Sequence, residues 1–340
     1  MTQKITGVQR YAVELCSRLK KQRDDLIFVA PVNILDENKI VSSQLGVKCF
    51  GSFEGHLWEQ IDLPLFLKKN GSPLLLNLCN TAPLLYGNKV STIHDLAFLY
   101  NPLWFSVSFR WFYRVTVPRI AKSSIHIITV SQFSKQELLE RFRVDKDKIS
   151  VIYNAVDKRF HCDGLNSRDR FVLFVGSNDP RKNMSSLIEA FRYLPKDIHL
   201  KIVGGSGASF NNNQQDLVNL PNIDFLGYVS EDELIKYYCS ANCFVYPSLY
   251  EGFGLPPLEA QAAGIPIAVS SIAVFKEIFG QSALYFNPID PKSIAESIVI
   301  LTAMDSKEKI QFVQKGIVNS LRFSWDFSTT QISLLLDELG

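Results

Sequence analysis

The sequence predicts an α/β protein of two parallel-sheet domains. Three observations carry that reading: its length, its alternation of short apolar runs with helical patterns, and a restart of that alternation halfway along. At 340 residues the chain exceeds what one ordinary core serves and suits two domains of roughly 150 residues each. In the first half, residues 26–31, 74–78, 89–93 and 125–130 read as buried strands with helices between them. The pattern begins again at 170–176 and continues through 199–203, 223–226, 243–246 and 265–269, each run feeding a loop rich in Gly, Ser, Asn or Pro. Residues 155–168 carry neither period and read as the linker. The expected division is therefore 1–160, 168–318 and a closing helical segment, 319–340.

With 46% hydrophobic and 21% charged residues and no low-complexity tract, the composition is that of a globular protein. No apolar run approaches the ~20 residues that cross a bilayer, and no signal-peptide pattern opens the chain. The expected location is cytoplasmic, either free or peripheral on the inner membrane. The six cysteines (Cys16, Cys49, Cys79, Cys162, Cys239, Cys243) show no spacing that suits zinc or a disulfide framework. Cys239 and Cys243 come closest, and their apolar helix-to-strand setting reads as buried thiols. The net charge of +2 hides an asymmetry: 22 basic against 15 acidic residues up to residue 165, and 14 against 19 beyond it. A basic first half suits an anionic partner such as a lipid surface or a lipid diphosphate.

Ligands of open parallel sheets bind outside the carboxyl ends of strands, so the loops there are where chemistry is sought. The first such loop, Gly176-Ser177-Asn178-Asp179-Pro180-Arg181-Lys182-Asn183, precedes a predicted helix over 185–193. Free amides and two adjacent cations at a helix start make an anion site, though a solvated turn has the same composition. The second runs Pro247-Ser248-Leu249-Tyr250-Glu251-Gly252-Phe253-Gly254-Leu255-Pro256-Pro257-Leu258-Glu259-Ala260. Gly252 and Gly254 let a backbone approach a ligand, and Pro256 suits a first helical turn, so a helix is expected to open just before Glu259. Glu251 then lies in the loop, and the two carboxylates flank a helix start that faces a diphosphate. The third loop is His94-Asp95-Leu96, a pair that taken alone is more often structural.

The Glu-x7-Glu pair within EGFGLPPLEA, together with VGSNDPRKNMSSLIEAF and VSQFSKQEL…VIYNAVD, resembles the retaining family 4 glycosyltransferases (glycosyl transferases group 1) over nearly the whole chain. The PRKN form of the donor loop is similar to mannosyltransferase-like members of bacterial O-antigen and capsule synthesis. The resemblance implies the GT-B fold, with two Rossmann-like domains facing across a cleft and a C-terminal helix crossing back to the first domain. It implies that Glu259 binds the nucleotide ribose and that Glu251 contacts the donor sugar. Phe253 and Gly254 would offer amides near the diphosphate and sugar, with Gly252 and Leu255 in the same loop, while Lys182 neutralises the leaving diphosphate. His94 becomes the first-domain histidine that touches the transferring sugar or the acceptor, and Gly7, in Gly7-Val8-Gln9-Arg10, belongs to the loop on the acceptor and diphosphate side. The implied reaction is hexosyl transfer from a nucleoside-diphosphate sugar, GDP-mannose being the first guess, to a lipid-linked glycan. Neither a resident cofactor nor a nucleic-acid partner is expected. Nor is a metal: the sole Asp-x-Asp, Asp145-Lys146-Asp147, precedes a strand and reads as a solvated turn.

Two departures from the family pattern stand out. Ser177 sits where many members have Arg, which leaves Arg181 to supply the charge. The buried strand expected before the Gly7 loop has no counterpart, because MTQKI is too polar for it. Either the recorded start is too late, the preferred expectation, or the first sheet lacks a central strand, with unpaired backbone and a hole in the core. Residues 104–122 interleave aromatic side chains with Arg110, Arg114, Arg119 and Lys122, a pattern that suits an interfacial helix beside anionic lipid and equally a half-buried helix with a cationic outer face. Three competing functions share the fold. A nicotinamide oxidoreductase lacks its glycine fingerprint here, since Gly204-Gly205-Ser206-Gly207 has the wrong spacing. A sugar-nucleotide epimerase or phosphorylase would differ in its products, and a degenerate partner subunit would not be expected to retain Glu251, Glu259, Lys182 and His94 together.

Overall fold

The structure, a computed structural model, describes residues 7–162, 171–204 and 220–340. The polar head 1–6, linker residues 163–168, Arg170 and Gly205-Ser206-Gly207 lie outside the described residues. The chain divides into two compact units, Met1–Asn154 with Ser324–Gly340, and Ala155–Phe323.

In the first unit, β1 (Val29–Ala30) and β2 (Lys48–Cys49) pair in parallel as a separate two-stranded sheet. Strands β3 (Leu75–Asn77), β4 (Lys89–Thr92), β5 (His126–Thr129) and β6 (Ile149–Val151) form a four-stranded parallel sheet in sequence order. All residues of β4 and β5 are buried, the polar Lys89, Ser91, Thr92, His126 and Thr129 included; β3 is only half-buried throughout. Around these sheets run α1 (Gly7–Gln22), α2 (Lys39–Leu45), α3 (Leu63–Lys69), α4 (Val107–Ser123) and α5 (Gln132–Phe142). Ser106 and Ser131 start the last two by accepting from the backbone N–H of Phe109 and Ser134. Val117, Ala121, Ile127 and Leu138 pack these helices onto the sheet.

The second unit is one six-stranded parallel sheet of β7 (Phe171–Val175), β8 (His199–Val203), β9 (Ile223–Gly227), β10 (Cys243–Tyr246), β11 (Ile267–Ser270) and β12 (Leu284–Phe286), in the order β12-β11-β10-β7-β8-β9. From β7 the chain winds outward through β8 and β9, then returns to lay β10 against the other side of β7 and winds the opposite way. The boundary between β7 and β10 is therefore the topological switch point, where a crevice opens at the strands' carboxyl ends. Helices α6 (Met184–Ala190), α7 (Glu231–Ser240), α8 (Leu255–Ala262), α9 (Ala273–Phe279), α10 (Pro291–Ala303) and α11 (Ser306–Ser320) flank this sheet. Capping boxes at Ser230/Glu233 and Asp305/Glu308 fix the starts of α7 and α11.

After α11 the chain returns to the first unit as α12 (Trp325–Leu339), which packs on α1. Trp325 meets the Tyr11 ring at 6.0 Å, Arg18 pairs with Asp326 at 2.9 Å, and Ser328 donates to the carbonyl of Tyr153 at 2.7 Å.

Two sequence expectations require correction. Cys162 and Cys239 form a disulfide, although no spacing suggested one: their separation of 77 residues is closed by the fold, which brings the Cα atoms to 5.7 Å. Cys243 is instead a buried thiol, pushed up to about 12 by desolvation. The helix bearing Glu259 opens at Leu255, with Pro256 in its first turn as expected, because Gly254 takes a left-handed φ of 114° and redirects the chain at once. Strands β6 and β12 were not anticipated, being only three residues long. Asp145 spends its carboxylate on the N–H of Asp147 in a turn ahead of β6.

Candidate active site

The switch point places the loops after β7 and β10 side by side. After β7, Asp179 caps a single tight turn by accepting from the N–H of Arg181 at 2.9 Å, and Lys182 follows directly. Asn183 then adopts a left-handed φ of 56°, a conformation Asn tolerates better than most residues. Its side-chain amide donates to the carbonyls of Pro247 (3.1 Å) and Pro288 (2.7 Å). The N–H of Leu249 bonds the carbonyl of Arg181 at 2.8 Å, so the two loops are sewn together through their backbones.

That stitching sets the Lys182 ammonium 2.5 Å from Oε1 of Glu251, which also accepts from the Ser248 hydroxyl at 2.7 Å. Both side chains are largely withdrawn from water, at 14% and 10% exposure. Burial by itself raises the pKa of Glu251, but the charges of Lys182 and Arg181, with the hydrogen bonds from Lys182 and Ser248, outweigh it and hold the carboxyl below its ordinary value. The Lys182 ammonium also lies 5.3 Å from the centre of the Tyr246 ring. Arg181 turns onto Asp179, with Nε and a terminal nitrogen each 3.2 Å from Oδ2, so part of its charge is already answered. Ser177 is exposed and adds no cation.

Glu259 sits in α8, nearly buried, and accepts from the Tyr238 hydroxyl at 2.9 Å. Tyr238 is fully buried against Phe160 and adjoins the disulfide-bonded Cys239. Gly254 cannot be replaced without collision, since a Cβ there would stand 2.8 Å from the Phe275 ring. Its neighbour Phe253 is buried, with its ring edge-on to Phe323 at 5.4 Å. Gly252 is buried and Leu255 half-buried at the helix start.

Two expected site residues, His94 and Gly7, belong to the first unit. His94 is buried after β4, with its ring edge-on to Tyr11 at 4.7 Å. Its Nε2 lies 3.0 Å from the carbonyl of Leu78, which fixes the proton on Nε2 and leaves Nδ1 as an acceptor. Burial pushes its pKa down, so the ring is neutral near pH 7. Gly7 begins α1, exposed, with open space where a Cβ would stand. Sequence reasoning singled out the carboxylates and cations but missed the residues that orient them, Ser248, Tyr238 and Asn183. Ser248 carries a faint signal in its place three residues before Glu251. Tyr238 carries none, because its partner is 21 residues away.

A carboxylate–ammonium pair at the switch point, a second carboxylate on the following helix and a glycine hinge between them form a site for an anionic, hydroxylated ligand. The description "Glycosyl transferases group 1" matches residues 157–316, and "Glycosyltransferase Family 4" matches residues 5–160. The O-antigen chain mannosyltransferase RfbU of Salmonella typhimurium is 36% identical over 310 residues that cover 86% of each chain. This chain is a group 1, family 4 glycosyltransferase. A second relative, O-antigen chain mannosyltransferase B of Escherichia coli, is 29% identical to the glycosyltransferase over 260 residues, 71% of this chain and 68% of that one. Among solved structures, HepE of Anabaena, in complex with UDP-glucose, resembles it with a TM-score of 0.78 at 17% identity, covering 98% and 97% of the two chains. WaaG, a glycosyltransferase involved in lipopolysaccharide biosynthesis, does so with a TM-score of 0.76 at 12% identity and the same coverage. The glycosyltransferase thus has the GT-B fold.

Proposed function

We propose that the glycosyltransferase moves mannose from GDP-mannose to a lipid-linked glycan of O-antigen or capsule synthesis, retaining anomeric configuration. The observation that carries this reading is the Lys182–Glu251 pair at the switch point of the second unit, with Glu259 on the helix that follows. The names of the relatives, O-antigen chain mannosyltransferases, supply the sugar and the pathway. Glu259 binds the ribose hydroxyls, and Glu251 accepts from hydroxyls of the sugar. Lys182, with what Arg181 has to spare, meets the negative charge that grows on the diphosphate oxygen as its bond to the anomeric carbon breaks. The acceptor hydroxyl attacks that carbon on the face the diphosphate leaves. Its oxygen forms the new bond, and its proton passes to the departing phosphate oxygen. His94, neutral and fixed in one tautomer, accepts a hydrogen bond from sugar or acceptor through Nδ1. The test is calorimetric titration with GDP, UDP and their sugars, followed by NMR of the product linkage. Tighter binding of GDP and GDP-mannose with an α-linked product is expected; UDP preference overturns the donor assignment, and a β-linked product overturns retention.

Membrane contact has its own observation. Leu103, Val107 and Trp111 are 83%, 80% and 68% exposed around the start of α4, while Arg114, Arg119 and Lys122 are exposed farther along the same helix. Apolar side chains beside cations suit an anionic lipid surface. No helix among the described residues is long and apolar enough to cross a membrane. Flotation with phosphatidylglycerol vesicles is expected to carry the wild-type protein upward and to leave Trp111→Ser/Arg114→Glu/Lys122→Glu behind; equal flotation of both removes this surface.

A further inference from the structure

Among the described residues of the second unit, one enclosed side-chain polar atom makes no hydrogen bond of ordinary geometry: the hydroxyl of Tyr246. Tyr246 ends β10 at the switch point and is fully buried. Its ring is set among Phe174 of β7, Phe244 of β10 and Phe275 of α9, at centroid distances of 5.8, 5.9 and 6.1 Å. A phenylalanine would fill that space without withdrawing a hydroxyl from water, and a buried hydroxyl left unpaired is destabilising. The position thus carries a polar group that the packing does not use.

The charges around the hydroxyl indicate what does use it. Burial first, and then the negative charge of Glu251, push the Tyr246 pKa well above the ordinary phenol value; Arg181 opposes that shift and Glu259 adds to it. Glu251 is therefore the carboxylate that Tyr246 feels most. Lys182 adjoins both groups, with its ammonium 5.3 Å from the centre of the Tyr246 ring and 2.5 Å from Oε1 of Glu251. In the reaction given above, that ammonium turns to the diphosphate. Glu251, which is buried, then loses its main counter-charge: Ser248 stays on it at 2.7 Å, while the Arg181 guanidinium is held by Asp179. A buried carboxylate in that position is costly unless another donor reaches it. The terminal torsion of a glutamate is soft, so a carboxylate released by Lys182 can rotate, whereas the Tyr246 ring is wedged between aromatic neighbours.

We propose that Tyr246 is a positioning residue of the donor site: as Lys182 moves to the diphosphate, the Tyr246 hydroxyl donates to Glu251 in its place and holds that carboxylate toward the sugar. The inference rests on the role given to Lys182 under the proposed function. Because the hydroxyl is enclosed, it acts through Glu251 and does not touch the ligand.

Tyr246→Phe keeps the ring and removes only the hydroxyl. Inorganic pyrophosphate, which draws Lys182 away without base or sugar, is the probe, titrated calorimetrically at pH 8. Its affinity is expected to fall about tenfold in Tyr246→Phe, while the melting temperature of the protein alone stays the same or rises. In a Glu251→Gln background there is no carboxylate charge to answer, so adding Tyr246→Phe is expected to leave pyrophosphate affinity unchanged. A second measurement needs no ligand. In Lys182→Ala, where Glu251 has lost its ammonium at all times, adding Tyr246→Phe is expected to lower the melting temperature by ~2–4 °C. Unchanged pyrophosphate affinity in Tyr246→Phe overturns the proposal, as does a loss that persists beside Glu251→Gln, or an equal melting shift with and without Lys182. If Lys182→Ala binds pyrophosphate as tightly as the wild type, the diphosphate role of Lys182 fails and this inference with it. A loss in Lys182→Ala with none in Tyr246→Phe overturns Tyr246 alone and leaves that role standing.

Discussion

Lys182→Ala is expected to lower kcat on the order of 100- to 1,000-fold, the typical cost of removing one donor aimed at charge developing in the transition state. The ammonium is the nearest cation to the Glu251 carboxylate, at 2.5 Å, and Arg181 cannot fully replace it because its guanidinium is shared with Asp179. Removing Lys182 also leaves Glu251 buried without its main counter-charge, so the substitution is expected to destabilise the second unit by roughly 3–5 kcal/mol. The balance at Glu251 then tips toward desolvation, and its pKa rises. The depressed pKa of the wild type contributes stability that is present above the unfolded value and is lost as pH falls through the folded one; in Lys182→Ala that contribution disappears. The double variant Lys182→Ala/Glu251→Gln separates the two effects, since it is expected to recover most of the thermal stability and none of the activity. Turnover within threefold of wild type in Lys182→Ala would remove the lysine from the reaction.

Glu259→Ala should weaken nucleotide binding about 10- to 150-fold, the equivalent of the ~1.5–3 kcal/mol that a hydrogen bond to a charged group contributes. Glu259 accepts from Tyr238 with Oε2, which holds the carboxylate in one orientation on α8. Pyrophosphate, which has no ribose, provides the control. Its affinity is expected to be unchanged in Glu259→Ala and to fall in Lys182→Ala. If nucleotide and pyrophosphate lose affinity equally in Glu259→Ala, the residue acts on the diphosphate or on the fold instead of on the ribose. Isothermal titration of both ligands against the two variants decides between these outcomes.

Much of the fold was legible because buried parallel strands announce themselves. The runs at 89–93, 199–203 and 243–246 are short segments rich in β-branched and apolar residues, although Lys89, Ser91, Thr92, His199 and Lys201 interrupt the first two, and their strands fall within a residue of the sequence boundaries. Short edge strands such as β12 bury too little to leave that mark. Glu251, Glu259 and Lys182 were visible because glycine and proline around them allow close backbone approach and an early helix start, features that are local in the chain. What surrounds them is not local. The bond from Ser248 to Glu251, the Tyr238 hydroxyl on Glu259 and the Cys162–Cys239 disulfide follow from which loops and helices the sheet order brings together. The same holds for the reduced charge of Arg181 and for the single tautomer of His94, each decided by one neighbour across a turn or a strand end. The sequence by itself determined the alternation of strands and helices, the family, and the residue types offered to a ligand, since these depend on local propensity and spacing. Only the tertiary structure decided which of those groups are paired and which are neutral, because pairing and burial depend on neighbours distant in the chain.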